Sequence, residues 1–171
     1  YSEIRFKAQE IRGKVIDAST NQTIRAQVGV VGSAATVVAG QEGFSTKIPL
    51  SDAVAFVEAK VDEDYYKTRQ AATPAELKDL NLFAFKKSWV ASQLSKVSIH
   101  QEENLGLAIG YVTGGDYRVM LDGRADTDYS EKNILYFNQS LQIDQAKTSS
   151  GDGGGAFIMV NLKPGMHTLV I

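Results

Sequence analysis

The sequence predicts an all-β chain: two small antiparallel sandwiches in tandem, joined by a short helical segment. Three observations predict it. Short runs alternating apolar with polar residues fill the first ~70 residues and return near residue 105, the period-two pattern of half-buried strands. Turn residues punctuate them about every 8–12 residues, the rhythm of a sandwich or barrel. Between the two stretches the pattern changes, and a helix-start signal appears at Thr73-Pro74-Ala75-Glu76.

Each element follows from local chemistry. Ile4, Phe6 and Ala8 alternate with Glu3, Arg5 and Lys7, which predicts a strand over Ser2–Ala8, and a second is expected at Ile11–Ile16. Asp17–Gln22 is a turn, because its Asp, Ser, Thr and Asn side chains bond their own backbone. Ile24–Val31, dense in β-branched residues, is a strand ended by Gly32, and Thr36–Ala39 is a short one. Gly40–Gly43 turns the chain into Phe44–Leu50, whose Pro49 sets an edge or exit. Val54–Val61 and Tyr65–Arg69 flank a turn at Asp62–Asp64.

Thr73 caps, Pro74 suits the first helical position and Glu76 closes a capping box, predicting a short helix over Ala75–Leu80. Ala84–Leu94 is a second helical candidate with an irregular apolar face; the alternative is a strand at Asn81–Phe85 and a helix only over Ser88–Ser95. Strands then return at Leu107–Val112, Asp116–Leu121, Asn133–Phe137, Ala146–Ser149, Ala156–Asn161 and Met166–Ile171. Asp122–Lys132 is a polar loop, and Ser150–Gly155 and Lys163–Gly165 are turns. The expected division is a sandwich over 1–72, a helical connecting segment over 73–104 and a second sandwich over 105–171, patterned as a copy of the first.

Composition narrows the function classes. The 171 residues carry 18 basic and 20 acidic side chains, so no broad basic field gathers phosphates and general nucleic-acid binding is disfavoured. The absence of cysteine removes disulfides, thiolate metal sites and thiol nucleophiles. No apolar run approaches the ~20 residues of a membrane helix.

Ile11-Arg12-Gly13-Lys14-Val15-Ile16-Asp17, a turn, then Thr23-Ile24-Arg25-Ala26-Gln27-Val28 resembles the opening of carboxypeptidase regulatory-like domains. Gly40–Ser45 looks like that family's glycine–phenylalanine hairpin, and Tyr65–Thr68 like its closing strand. In the second half, Gly110-Tyr111-Val112, Gly153–Ile158 and Asn161–Leu169 resemble the same opening, hairpin and following strand. The resemblance leaves out roughly residues 70–104. It implies a transthyretin-like, seven-stranded Greek-key sandwich, twice, in a bacterial secreted or surface protein. The second copy departs from the pattern at Asp122–Gln145, which is longer and more polar and looks like an inserted loop, where function often sits.

Candidate chemistries are few. His100 and His167 lack the spacing of a metal site and read as solvated or hydrogen-bonded residues. Asp122, Asp126, Asp128 and Glu131 offer oxygens that could hold calcium, but an EF-hand loop starting at Asp126 needs glycine where Glu131 stands. That cluster, like Asp62-Glu63-Asp64, reads as a solvated acidic loop. Gly151–Gly155 leads into a strand rather than a helix, so it is a hairpin and not a phosphate cradle. Of the lysine–asparagine crosslinks of related surface domains, Lys14 lacks an asparagine on its closing strand, and Asn161 lacks a lysine on Leu107–Val112. Trp89 with Phe83 and Phe85 is either a stacking platform or the small core that seats a helix on a sheet.

The expectation is therefore a non-enzymatic structural or adhesion module, secreted or on the cell surface, without cofactor, metal or catalytic residues. Ser2–Ala8 either adds a strand to its own domain or pairs with the edge of another molecule in a surface assembly or filament. Its partners are then other protein chains, copies of itself included. The alternative is a carbohydrate- or small-ligand-binding module that uses the Asp122–Gln145 loop and meets surface glycans.

Overall fold

The computed structural model of the chain describes residues 7–50, 54–121, 133–165 and 167–171. The described residues are mostly β, arranged in several sheets with one short α-helix. They fall into two units, Tyr1–Val90 and Ala91–Ile171.

The first unit carries β1 (Lys7–Asp17), β2 (Gln22–Thr23), β3 (Ala26–Val30), β4 (Thr36–Ala39), β5 (Phe44–Leu50), β6 (Ala55–Lys60), β7 (Thr68–Ala72) and β8 (Leu80–Ala84). Alternation along β1 buries Ile11 and Val15 completely and leaves Arg12 and Lys14 exposed. β5 pairs antiparallel with Lys7–Gly13 and β2 with Ile16–Asp17, while β8 runs parallel to Gly13–Asp17. Gly13 permits this arrangement, because a Cβ there would collide with the carbonyl oxygen of Leu80. The other sheet is antiparallel, in the order β4-β3-β6-β7. Both sheets feed one core, with Ile11 and Val15 meeting Val28, Val57, Leu80 and Leu82.

Several expected elements change here. Residues Lys7 and Ala8 do not end a separate strand. They pair with Leu50 and Pro49 at the start of β1, and the register runs unbroken to Gly13 because Gln9 and Glu10 offer no turn chemistry. The remainder, Ser2–Phe6, lies outside the described residues. The expected strand at Tyr65–Arg69 begins only at Thr68, and Tyr65 makes a lone bridge to Lys86.

The Glu76 carboxylate accepts from both the N–H and the hydroxyl of Thr73 at 2.7 Å, one half of a capping box; the other half is not made, because the Glu76 N–H goes to the Thr73 carbonyl and not to its hydroxyl. Nevertheless only a 3-10 turn forms, Glu76–Lys78, because the ladder with β1 claims Leu80. The same ladder decides between the two readings of the next stretch. Leu80–Ala84 is a strand with alternating burial, and the helix α1 is confined to Lys87–Ser95. The segment 73–104 is thus not a helical connector throughout. Its strand belongs to the first unit, and the division between units falls at Val90 rather than at residue 72.

In the second unit β9 (Gly106–Thr113), β10 (Met120–Leu121), β11 (Ile134–Phe137), β12 (Ile143–Asp144), β13 (Gly154–Leu162) and β14 (Leu169–Val170) follow. One antiparallel sheet has the order β12-β11-β13-β9, and β10 pairs with β14 apart from it. β11 and β13 are its interior strands, and β13 is the longer. Phe157, Ile158, Met159 and Val160 are all buried, so both its faces are covered. Phe157 and Met159 share a core with Val112, Val119, Leu121 and Tyr136.

Among the described residues this unit does not repeat the sheets of the first. The expected strand at Ala146–Ser149 is a turn, because Asp144 takes the Lys147 N–H on its carbonyl and the Ala146 N–H on Oδ1; the strand is instead Ile143–Asp144. Of Asp116–Leu121 only Met120–Leu121 is strand, since the backbone of Tyr117 is held by Ser150. Of the described residues of the expected strand Met166–Ile171, which leave out Met166, only Leu169–Val170 is strand.

Candidate functional site

The second unit holds a cleft of about 580 Å³, within the range of small-molecule sites. Residues 97–99, 118–119 and 134–136 line it, with Asp144, Gln145, Lys147 and Thr148. Strand alternation supplies the apolar part: Val119 and Tyr136 are buried, and Ile134 is half-buried. The Tyr136 hydroxyl accepts the Val119 N–H at 2.7 Å, which holds these two walls together.

The polar part is set by the turn after β12. Lys147 donates to the carbonyls of Phe137 and Ser150 at 3.2 and 3.1 Å, and Gln145 to that of Lys96 at 3.3 Å. The charged residues of the lining are Arg118, Lys147 and Asp144. The arrangement can hold a small amphipathic molecule with an anionic or hydroxylated end. Ile134, Leu135, Tyr136, Asp144 and Gln145 come from the described part of the stretch expected to be an inserted loop.

The other sequence candidates are scattered. Asp122, Asp126, Asp128 and Glu131 lie outside the described residues. Among the described residues no group of three or more His, Asp or Glu converges as metal ligands. Asp62 accepts the Asp64 N–H at 2.9 Å, the local bond of a turn. His167 bonds the Lys163 carbonyl at 2.7 Å through Nε2, and His100 is exposed, its backbone carbonyl taken by Asn161. Lys14 is exposed on β1. Phe85 and Trp89 stack at 6.2 Å between centroids, tilted by 34°, while Phe83 on β8 points outward.

The glycine-rich stretch is a hairpin end. The Gly154 N–H reaches the Gly151 carbonyl at 3.0 Å, and Gly154 has φ +97 at the start of β13. Beside it, Ser150 is 1% exposed. Its hydroxyl accepts the Tyr117 N–H at 2.8 Å, and its N–H donates to the Tyr117 carbonyl at 2.8 Å. Hydrogen bonds from Ser149 and from the Gly151 N–H hold the Asp116 carboxyl below its ordinary range.

Sequence reasoning missed the polar groups that matter most to the architecture. Asp17 is 2% exposed and accepts from the Ser19 N–H at 2.7 Å, from the Ser19 hydroxyl and from the Tyr65 hydroxyl at 2.7 Å. Burial pushes its carboxyl up. These hydrogen bonds and the Lys86 charge outweigh that and leave it below the ordinary value. Burial and the Asp17 carboxylate raise the Tyr65 hydroxyl well above a free tyrosine, so it stays a donor. The Lys86 ammonium stands 5.5 Å from the Tyr65 ring centroid. The only sequence signal was the Asx turn at Asp17; a partner 48 residues away leaves none.

Asn161 was noted only as half of an absent crosslink. It sits at φ +58 where the β13–β9 register shifts. Its amide donates to the His100 carbonyl at 2.9 Å and accepts the Glu102 N–H at 2.8 Å, while Gln101 accepts the Asn161 N–H at 3.0 Å.

Comparison of the chain with protein-family models, with curated proteins and with solved structures finds no match.

Proposed function

We propose that the chain is a non-enzymatic structural or adhesion module of a bacterial cell surface, built from tandem β-sandwiches of the carboxypeptidase regulatory-like kind. The sandwich reading is supported by the shared core of the two sheets in the first unit. A Greek-key course is supported by the strand order: the chain leaves β4, crosses to the other sheet as β5 and returns as β6 beside β3. What carries the functional reading is where buried polar groups are spent. Asp17 bonds Ser19 and Tyr65, Gln93 bonds the Ile143 N–H, and Ser150 bonds Gly115 and Tyr117. Each fixes backbone in place, the work of a scaffold.

The module joins a filament or surface assembly by giving its N-terminal segment to another copy. Because Lys7 and Ala8 pair within their own sheet, the exchanged part is Ser2–Phe6. Light scattering and electron microscopy across a concentration series, on the full chain and on a chain lacking residues 1–6, test this. Polymers from the full chain alone support the exchange; monomers from both reject it.

The cleft supports a second reading, a small-ligand or glycan site. Ile134→Trp fills the cleft and would abolish the melting-temperature rise produced by a bound sugar or organic anion. If no compound of either class shifts the melting temperature of the parent chain, this reading fails.

A further inference from the structure

β9 is an edge strand. It pairs with β13, and among the described residues its other edge takes no strand. The Gly114 N–H bonds the Gly153 carbonyl, which sets the phase of the antiparallel ladder. By that phase Val112, Gly110 and Ala108 exchange backbone bonds with β13. The N–H and C=O groups of Leu107, Ile109, Tyr111 and Thr113 therefore point to the open edge.

Edge strands are ordinarily guarded by charge, proline or brevity. β9 has none of these guards. Its eight residues, Gly106-Leu-Ala-Ile-Gly-Tyr-Val-Thr113, include no charge and no proline. Other edges carry such guards: β7 has Arg69, β5 has Lys47 and Pro49, β4 has four residues and β12 two, while β8, also uncharged, has five residues to the eight of β9. On the outer face Tyr111 is 66% exposed, a large aromatic held in water beside the open ladder.

We propose that this edge pairs antiparallel with the same strand of a second copy, closing a two-fold dimer through β9. The sequence is self-complementary for that pairing. With Gly110 on the two-fold axis, Leu107 meets Thr113 and Ile109 meets Tyr111, so all the outward backbone groups find partners in phase. Two aromatic–β-branched pairs form on the outer face, and the glycines bring no side chains together at the axis. Close to the two-fold axis a symmetric pairing brings a charge diagonally near its own copy, and an uncharged strand avoids that repulsion. The occupant is thus a second copy rather than a basic or acidic peptide, for which the edge offers no complementary charge.

This inference is independent of the exchange of Ser2–Phe6, and one experiment separates them. Sedimentation equilibrium from about 1 μM to about 1 mM covers dissociation constants from about micromolar to about millimolar. It would be run on the full chain, the chain lacking residues 1–6, Tyr111→Lys and Ile109→Pro. The expected result is a closed dimer that survives the truncation. Tyr111→Lys should weaken it about tenfold or more, by opposing two ammonium groups and removing both aromatic pairs. Ile109→Pro should abolish it by removing an outward N–H, with circular dichroism confirming that the variant folds. A monomer throughout, or a dimer indifferent to both substitutions in folded protein, overturns the proposal. So do open polymers lost on truncation and on Tyr111→Lys alike, which would make the N-terminal segment the strand that β9 accepts.

Discussion

The hydroxyl of Tyr65 donates a 2.7 Å hydrogen bond to Oδ2 of Asp17 across 48 residues of chain. It ties the end of β1 to the segment entering β7, and it does so through a carboxylate that is almost wholly buried. A buried charge with its partners in place is stable; one that loses a partner is not.

Tyr65→Phe should therefore destabilise the first unit by about 1.5–3 kcal/mol, the worth of a hydrogen bond to a charged group. Denaturant unfolding followed by tryptophan fluorescence measures it. An effect under about 0.5 kcal/mol would mean that water replaces the tyrosine.

Acid should undo the same node. The Asp17 carboxyl is lower in the folded chain than in the unfolded one, so its contribution is present above the unfolded value of about 3.9 and is lost as pH falls through the folded value. Asp17→Asn should be less stable at neutral pH and lose less stability on acidification. Some acid sensitivity remains, since Glu10, Glu58, Glu76 and Asp116 are also lowered. Thermal melts from neutral pH into acid compare the two slopes; identical slopes would remove Asp17 from the account.

At Asn161, two substitutions separate backbone from side chain. Asn161→Gly keeps the positive φ and loses only the amide bonds to His100 and Glu102, costing about 1–2 kcal/mol. Asn161→Ala adds about 1–2 kcal/mol for the left-handed backbone. Hydrogen exchange at the Glu102 amide should accelerate in both, and unchanged protection there would refute the role.

Gly154→Ala should be among the most damaging single changes in the second unit. The backbone is at φ +97, and the new Cβ would collide with the carbonyl oxygen of Val112. Gly153→Ala, at φ +87 with open space around it, should cost only about 1–2 kcal/mol. Comparable melting temperatures for the two would show that the hairpin end relaxes freely.

The strands legible in the sequence were those bounded by strong turn residues. Thr36–Ala39 and Phe44–Leu50 are found at their expected bounds, because Gly40 and Gly43 mark the turn between them. The segment after Ala72 was ambiguous because local and distant preferences compete there. Thr73 and Glu76 signal a helix, and the signal is obeyed for one turn before Leu80 joins a strand more than sixty residues away. The cleft was legible only as a polar stretch. Its walls at Val119 and Tyr136 are set by a hydrogen bond between non-adjacent elements that no periodicity encodes. The Asp17–Tyr65 bond was hidden for the same reason.

The parallel pairing of β8 with β1 has a mechanical consequence. The five registered pairs from Gly13↔Leu80 to Asp17↔Ala84 run the same way, so the leading end of β1 and the trailing end of β8 lie at opposite ends of the ladder. Tension applied between those two ends pulls the strands past each other. The cross-strand bonds are then strained together in shear, where a hairpin pulled at its open end would give them up one by one. A unit fastened in this way resists stretching along its chain more than its modest size suggests, and yields abruptly when it yields.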